Sequence, residues 1–454
     1  MPFEYHHMDK WAFANLDLVE EVIESGKKPA ILISGASSSG KSFSAEFLEK
    51  LLNKNGYHAV TISLDQYNVG LSHIIPNKVE QHYFGGHIEK LDEIEDIIKG
   101  IIYDVSFDRK YDRDVLVRIR EALTSFFSED ALDTFIEGLY QEWKVLNFDE
   151  PTVYNLKEAA EDVRILLSGG KICAKKYSKV VSERVASDQI IDGNDYDVIL
   201  VEGIYALDPT LVRALNDVET IKDFIDGNPK SLFLRRIIRD AKTTSADNVF
   251  TISIYFQYIV KSYFETIYPC RQNADVILNN DMTFLEMRSG NLYTTKQEIH
   301  TFDKDGFEAI LKESKILDIV YQKDTYLTCE AEKDRSNNIL RMRSVSLDGK
   351  NYHASSLVHK GIPKVRRDGK IIRPINILLD ENQFSKVWKS EGDALNDFAR
   401  AGFQLGPVRF KKRIRILYHN RRMTLREVLD DGFYIEFTEE PTESLMKEIN
   451  SRLK

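Results

Sequence analysis

A short apolar run, Ala30-Ile31-Leu32-Ile33-Ser34, feeds into Gly35-Ala36-Ser37-Ser38-Ser39-Gly40-Lys41-Ser42, and helical periodicity begins directly after it. Strand, glycine-bounded loop and helix in that order make a P-loop, which commits this part of the chain to an α/β sheet. The glycines let the backbone curl so that successive N–H groups point at phosphate oxygens, while Lys41 reaches the β- and γ-phosphates and Ser42 offers a hydroxyl to Mg2+. The helix adds its positive N-terminal end. Residues Gly35, Ala36, Ser37, Ser38, Ser39, Gly40, Lys41 and Ser42 are therefore expected to bind a nucleoside triphosphate, with ATP and Mg2+ as the implied ligands. Phe43, Phe47, Leu48, Leu51 and Leu52 are expected to form one face of the helix.

With 454 residues the chain has length for two or three domains, each with its own core. A hydrophobic share of 43% and a charged share of 30% are those of an ordinary globular protein. The net charge of -10 argues against a nucleic-acid surface as the main business and leaves small anionic ligands open. Cys173, Cys270 and Cys329 are odd in number, widely spaced and form no metal-ligand pattern, so they read as reduced thiols. The first residues lack a basic start and an apolar core, and no window approaches the apolar length of a membrane span. A cytoplasmic location without membrane or nucleic-acid partners is the expectation, and homo-oligomerisation stays open.

Beyond the P-loop, His58 to Leu64 reads as a second strand with Asp65-Gln66-Tyr67 at its C-terminal edge, where open α/β sheets hold ligands. Asp197 to Val201 is a buried strand ending in Glu202-Gly203, and Leu232-Phe233-Leu234 and Ala274 to Leu278 read as further strands. Strands alternating with helical stretches imply a parallel sheet wrapped by helices. Asp65 and Glu202 then stand at strand ends near the phosphate loop, where one carboxylate takes an acceptor hydroxyl's proton and another helps hold Mg2+. An acidic residue at a strand end is more often a turn or helix cap, and only the company of a P-loop favours the chemical reading.

These features resemble the uridine kinase and phosphoribulokinase family of P-loop kinases over most of residues 28 to 282. The matching pieces are Ile62 to Tyr67, Asn147-Phe148-Asp149-Glu150-Pro151, Tyr177 through Arg184, Val198 to Ile204, Arg235 through Asp240, and Ile259 onward to Ile277. The resemblance implies Asp65 as general base on a substrate hydroxyl, with Lys41 and Arg239 at the transferred phosphate. It implies Asp149 and Arg236 on ribose-like hydroxyls, Phe148 and Tyr177 lining a base pocket, Arg184 in the next substrate-facing stretch, and Ser42 with Glu202 at the metal. From residue type alone, Phe148 and Tyr177 are more often core aromatics.

The chain departs from that family in three places. Ser182 stands where uridine and cytidine kinases carry a base-reading His, so pyrimidine recognition is not expected. The lid continues as Ala241 to Asp247, with Thr244 and Ala246 among them, where two more arginines are usual. Roughly seventy extra residues separate Tyr67 from Asn147. In that insertion Ile88, Leu91, Ile94, Ile98 and Ile101 recur at helical spacing, as do Val115, Ile119, Leu123 and Phe126, and then Leu132, Phe135, Ile136 and Leu139. Three amphipathic helices are expected, either shaping the acceptor pocket or serving as a structural cap. His73, His82 and His87 lack the tight spacing of metal ligands.

From about residue 284 the texture changes to short alternating strands rich in basic residues. Arg341 and Arg343 lie two apart, as do Lys411, Arg413 and Arg415, so each set points to one strand face while Ile414 and Ile416 face the other. A solvated antiparallel face is the plain explanation of any one such stripe. In order, Gln322 to Leu327, Leu340 to Arg343 with Asp348-Gly349-Lys350, Lys360, Arg373-Pro374, Ala401-Gly402-Phe403, Lys411 to Arg413 and Asp431 to Phe437 resemble the CYTH, or triphosphate tunnel, family. That resemblance implies an antiparallel barrel whose basic residues Arg341, Arg343, Lys360, Arg373, Lys411, Arg413 and Arg415, with Glu436, hold a polyphosphate or nucleotide. Tyr293 to Ile299, Thr438 and Arg426 depart from its set of acidic residues, which implies weaker metal binding.

The combined expectation is a kinase-like α/β domain at 1–283 with the helical insertion at about 70–145, and an α+β CYTH-like barrel at 284–454. Its function would be ATP- and Mg2+-dependent phosphorylation of a small-molecule hydroxyl. A triphosphate or pyrophosphate hydrolase centred on the barrel, or a nucleotide-binding sensor with little turnover, are the alternatives.

Overall fold

The apolar run Ala30–Gly35 is strand β2, buried at all six positions, because strands of a parallel sheet are covered on both faces. The structure is a computed structural model and describes residues 2–106, 109–243, 247–281, 293–294, 298–329, 339–361, 364–365, 371–437 and 441–453. For residues 242–243, 293–294, 298, 354–355, 364–365 and 371–376 it describes the backbone alone. The chain divides into two units, residues 1–227 with 261–280, and residues 228–260 with 281–454. The segment 228–260, expected with the first domain, thus packs with the second unit.

In the first unit β1 (Phe3–Tyr5), β2, β3 (Ala59–Ser63), β4 (Val198–Glu202), β5 (Thr220–Asp226) and β6 (Val276–Asn279) form a parallel sheet in the order β1-β6-β5-β2-β4-β3. Helices α1 (Met8–Glu24) and α2 (Lys41–Lys54) cover one face, with Trp11, Val19, Leu48 and Leu52 against Ile31, Ile33 and Leu200. Helix α7 (Leu156–Leu167) covers the other through Ala159, Val163 and Leu166 against Leu32, Ile199 and Val201. Two expectations need correction. The buried stripe of α2 is Lys41, Ser44, Ala45, Leu48 and Leu52, and Phe43 and Phe47 are 60% and 37% exposed. Lys41 turns inward at the first helical position and sets the phase, so positions 43 and 47 fall outside the buried stripe.

Between β3 and β4 the insertion folds as four helices, α3 (Leu71–Tyr83), α4 (Leu91–Ile102), α5 (Arg113–Ala122) and α6 (Glu129–Lys144), around Ile75, Val79, Ile98, Ile119, Phe135 and Leu139. The unexpected helix is α3, whose Pro76 withholds one backbone donor without ending it. Buried Glu183 fastens its start, accepting hydrogen bonds from the Ser72 N–H and hydroxyl, both at 2.8 Å. His73 pairs with Glu95 at 2.6 Å and His82 with Glu142 at 2.8 Å.

The second correction falls in the second unit, where Leu232-Phe233-Leu234 lies in helix α8 (Pro229–Thr243). Pro229 opens the helix and the Asn228 side chain accepts from the Ser231 N–H at 2.8 Å, a capping arrangement. Phe233 of α8 and Phe256 after α9 (Asn248–Ile254) pack on Trp388 and Phe398 in one aromatic cluster. The sheet here is antiparallel: β7 (Tyr293–Thr294), β8 (Glu298–Thr301), β9 (Lys315–Thr328), β10 (Ile339–Ser346), β11 (His353–Lys360), β12 (Ile371–Leu379), β13 (Gln404–Tyr418), β14 (Arg421–Val428) and β15 (Gly432–Phe437) lie in the order β7-β12-β11-β10-β9-β13-β14-β15-β8.

Alternation sorts its side chains. Leu327, Leu340, Met342 and Leu357 join the aromatic cluster, and Ile414, Ile416, Leu425 and Ile435 pack on α10 (Lys304–Lys312) and α11 (Glu443–Arg452). Arg341, Arg343, Lys411 and Asp324 occupy the opposite face. Among the described residues no helix is long and apolar enough to cross a membrane.

Asp324 is fully buried and binds three of these cations, so Asp324→Asn should destabilise the second unit by about 3–5 kcal/mol, read from denaturant melts of the full chain. Because the cations hold its folded pKa below the unfolded value, the contribution is present above roughly pH 4 and is lost as pH falls through the folded pKa. A variant within 0.5 kcal/mol of the parent at pH 7, on the order of ordinary surface changes, contradicts this.

Candidate functional site

The phosphate loop is held in shape from two sides. Gly35 has φ 144° and Gly40 φ 101°, and a Cβ would lie 2.2 Å from the Ile225 carbonyl oxygen at the first and 2.5 Å from Asn280 Nδ2 at the second. Asn280 donates to the Ser39 carbonyl at 2.7 Å, and Ser38 sits at φ 66°. Lys41 Nζ donates to the Ala36 carbonyl at 2.8 Å, so the ammonium lies across the loop that precedes it. Ser42 Oγ donates to Glu202 Oε2 at 3.1 Å, and Ser63 Oγ donates to Glu202 Oε1 at 2.5 Å. Hydroxyl and carboxylate oxygens are the donors Mg2+ prefers, so Ser42 and Glu202 fit such an ion. Ser63 was not singled out in the sequence, where it is one more strand residue.

Asp65 lies in the short 3-10 turn Leu64–Tyr67 after β3, half exposed, with Lys179 Nζ 2.9 Å from its Oδ2. Lys179 belongs to the hairpin that pairs Tyr177 with Arg184 and Ser178 with Glu183. The turn is anchored from behind. Arg184, expected to face a substrate, donates to the carbonyls of Asn68 and Tyr67 at 3.0 and 3.2 Å and pairs with Glu158 at 2.8 Å. The Tyr67 hydroxyl donates to Asp162 at 2.8 Å, and Lys175 bridges Glu158 and Asp162 at 3.3 and 3.4 Å. Burial and then the Asp162 carboxylate raise the Tyr67 phenol far above its ordinary range. The i,i+4 acidic pair Glu158 and Asp162 on α7 was the available sequence signal for this scaffold.

Asp149 is buried, its N–H bound to Asn147 Oδ1 at 2.9 Å and its carbonyl to the Tyr205 hydroxyl at 2.5 Å. Phe148 packs partly buried against the insertion core, and Tyr177 is half-buried with its phenol raised by that burial. Ser182 is buried in a left-handed backbone conformation at φ 53°. Arg236 and Arg239 lie on α8 in the second unit, where both hold Asp240, at 2.8 and 2.9 Å. Thr244, Ala246 and Thr438 lie outside the described residues.

The charged face of the second unit centres on Asp324. It accepts from Arg341 Nη1 at 2.7 Å, Arg343 Nε at 2.7 Å and Lys411 Nζ at 2.5 Å. Burial alone would raise this carboxyl, but Arg343, Arg341 and Lys411 outweigh it and hold it well below the usual carboxylate range. Arg426 pairs with Glu436 at 2.7 Å and lies over the Tyr434 ring. Burial, then Arg341, Lys411, Arg426 and Arg343, push Lys360 down to about 7. Lys411 is lowered by burial to about 8, with Asp324 opposing. Arg415, expected with this group, is 59% exposed and pairs with Asp318. Arg373 lies in β12 at a position where only the backbone is described.

The fold and site define a P-loop α/β unit with Ser42, Ser63, Glu202 and Asp65 gathered at the C-terminal edge of its sheet. Residues 140–284 match the family model described as Phosphoribulokinase / Uridine kinase family. The P-loop and Asp65 precede that match, so their assignment rests on sequence pattern and geometry. Uridine kinase of Staphylococcus aureus (strain JH9) is 30% identical over 132 residues, 29% of this chain, and the chain spans 61% of the length of that curated relative. Among solved structures, PH1819 protein from Pyrococcus horikoshii OT3 overlaps 34% of this chain and 85% of its own at 16% identity and TM-score 0.25. One described as a possible uridine kinase from Bacillus stearothermophilus overlaps 59% of this chain and 100% of its own at 14% identity and TM-score 0.29. At such scores the overlap bears on neither unit's activity.

Ser63 orients Glu202 from behind, so Ser63→Ala should weaken Mg2+ binding by about 10–100-fold, as loss of an outer-shell partner does, while the fold is kept. Thermal stabilisation by ATP titrated with Mg2+ reads this directly. An unchanged Mg2+ midpoint would remove Ser63 from the metal site.

Proposed function

We propose that the first unit is an ATP- and Mg2+-dependent kinase of the uridine kinase-like class that phosphorylates a hydroxyl of a nucleoside- or sugar-like small molecule. The observation that carries this reading is the Glu202 carboxylate, bound to both the P-loop Ser42 and Ser63 at the sheet edge where Asp65 also lies. The loop amides and Lys41 bind and orient the phosphates. Mg2+ bound at Ser42 and Glu202 would neutralise phosphate charge. Asp65 accepts the acceptor hydroxyl's proton as its oxygen bonds to the γ-phosphorus, and the bond from that phosphorus to the β–γ bridging oxygen breaks, leaving ADP. Lys179 beside Asp65 holds the carboxylate toward the hairpin. The match of residues 140–284 and the relative from Staphylococcus aureus support a phosphotransferase with a hydroxyl acceptor. The second unit, in this reading, is a CYTH-like receptor for a polyphosphate or nucleotide, because on the sheet face around Asp324 the cations outnumber the carboxylates among the described residues.

Lys41→Ala should abolish ATP turnover with the melting curve retained. Asp65→Asn should keep ATP binding yet slow transfer by on the order of a hundredfold or more, as loss of a general base does. Loss of ATP affinity in Asp65→Asn would make Asp65 a metal ligand instead. Uridine and cytidine should be poor acceptors, since Ser182 is short, buried and bound to its own hairpin. A uridine kcat/KM near roughly 10^4 M⁻¹s⁻¹ or above, the ordinary enzyme range, contradicts that.

For the second unit, tripolyphosphate should raise its melting temperature, with about 2.7 kcal/mol of stabilisation at a hundredfold excess over Kd. The double variant Arg341→Ala with Arg413→Ala should lose that response. A double variant that responds as the parent does makes the basic residues an ordinary solvated face.

A further inference from the structure

We propose that the cationic face of the second unit captures a polyphosphate-class anion together with a proton, with Lys360 as the group that takes the proton up. This deepens the reading of that face as a polyanion receptor and rests on it. The charges that act on Lys360, on β11, are Arg341 and Arg343 on β10, Lys411 on β13 and Arg426 on β14. Asp324 on β9, Arg413 on β13 and Glu436 on β15 lie on the same sheet face by strand register. Arg373 on the neighbouring β12 is described only by its backbone.

The two carboxylates of this face among the described residues are already engaged. Asp324 holds Arg341, Arg343 and Lys411, and Glu436 holds Arg426. Among the described residues neither the Lys360 nor the Arg413 side chain makes a hydrogen bond or a close ion pair. Arg341 Nε is likewise a buried donor with no hydrogen-bond partner. A partly buried ammonium among like charges with no counter-ion relieves its energy by releasing its proton, which a guanidinium cannot do in the accessible pH range. The release therefore falls on a lysine. Lys411 is held charged by its contact with Asp324, which leaves Lys360 as the first to yield, in accord with the ordering of their pKa values at about 7 and about 8.

His359, next in sequence, sits fully buried on the opposite face, where burial and then Lys230 lower it to about 4. It is neutral throughout the range in question. A polyanion laid across the cluster reverses the balance at Lys360. Attraction to phosphate oxygens replaces repulsion by Arg341, Lys411, Arg426 and Arg343, and the amine takes one proton from solvent to form N–H···O contacts. The linkage makes affinity fall as pH rises above the empty-site pKa, by up to about tenfold per pH unit for one proton.

The test is titration calorimetry of the full chain with tripolyphosphate, without added divalent cation, at pH 6.5 and 8.5, in buffers of low and high ionisation enthalpy. At pH 8.5 the heats should report uptake approaching one proton per ligand. Between the two pH values the parent's affinity should fall by roughly tenfold or more relative to Lys360→Arg, whose charge is permanent. Protons gained by the ligand itself are common to both proteins and cancel in that comparison. Should Lys360→Arg melt abnormally, Lys360→Met replaces it and should bind without the Lys360 share of the uptake. Parallel pH profiles in parent and Lys360→Arg overturn the proposal while leaving the receptor reading intact. No binding at either pH overturns the receptor reading and this inference with it.

Discussion

Glu202 is the constraint on which the first unit depends. It ends an apolar strand in the interior of a parallel sheet, where a carboxylate has no reason to be unless something engages it. Ser42 engages it from the phosphate loop and Ser63 from the neighbouring strand, so loop, β3 and β4 are tied at one point. The glycine geometry of the loop, the start of α2 and the turn that carries Asp65 all follow from the strands that meet there. A sheet that puts three strand ends together at its C-terminal edge offers fixed donors without any loop having to fold onto them.

The second unit solves the reverse problem. Its sheet buries cations, and Asp324 is the internal counter-ion that makes the arrangement foldable. A buried pair of this kind offsets desolvation only when every partner stays hydrogen-bonded, and one carboxylate cannot serve the whole cluster. Among the described residues the remaining cations, Lys360 and Arg413, are the part of the surface that folding alone does not explain. That excess is the basis for proposing an anionic ligand at this face.

What could be read from the sequence was what is local. The P-loop was legible because its glycines, Lys41 and Ser42 are fixed by backbone geometry within eight residues. The alternation that sets Arg341 and Arg343 against Leu340 and Met342 was legible because period two is a property of any strand. What stayed hidden depends on contacts far apart in the chain. Arg184 reads as a substrate residue until it is seen holding the Tyr67 and Asn68 carbonyls, and nothing near Lys179 announces Asp65. Leu232-Phe233-Leu234 has the look of a buried strand, because a short apolar run does not distinguish strand from buried helix. Phe43 and Phe47 misled for a different reason, since the inward turn of Lys41, a functional demand, sets the phase of α2.

The central claim is that the first unit moves a phosphoryl group to a small-molecule hydroxyl. The most direct measurement follows ATP consumption in 18O-labelled water with a panel of nucleosides and sugars, with 31P NMR identifying every phosphorus product. The account predicts a phosphate ester of one acceptor, formed in step with ADP and free of solvent oxygen. Inorganic phosphate carrying one 18O, released at the same rate whichever acceptor is present, would contradict it.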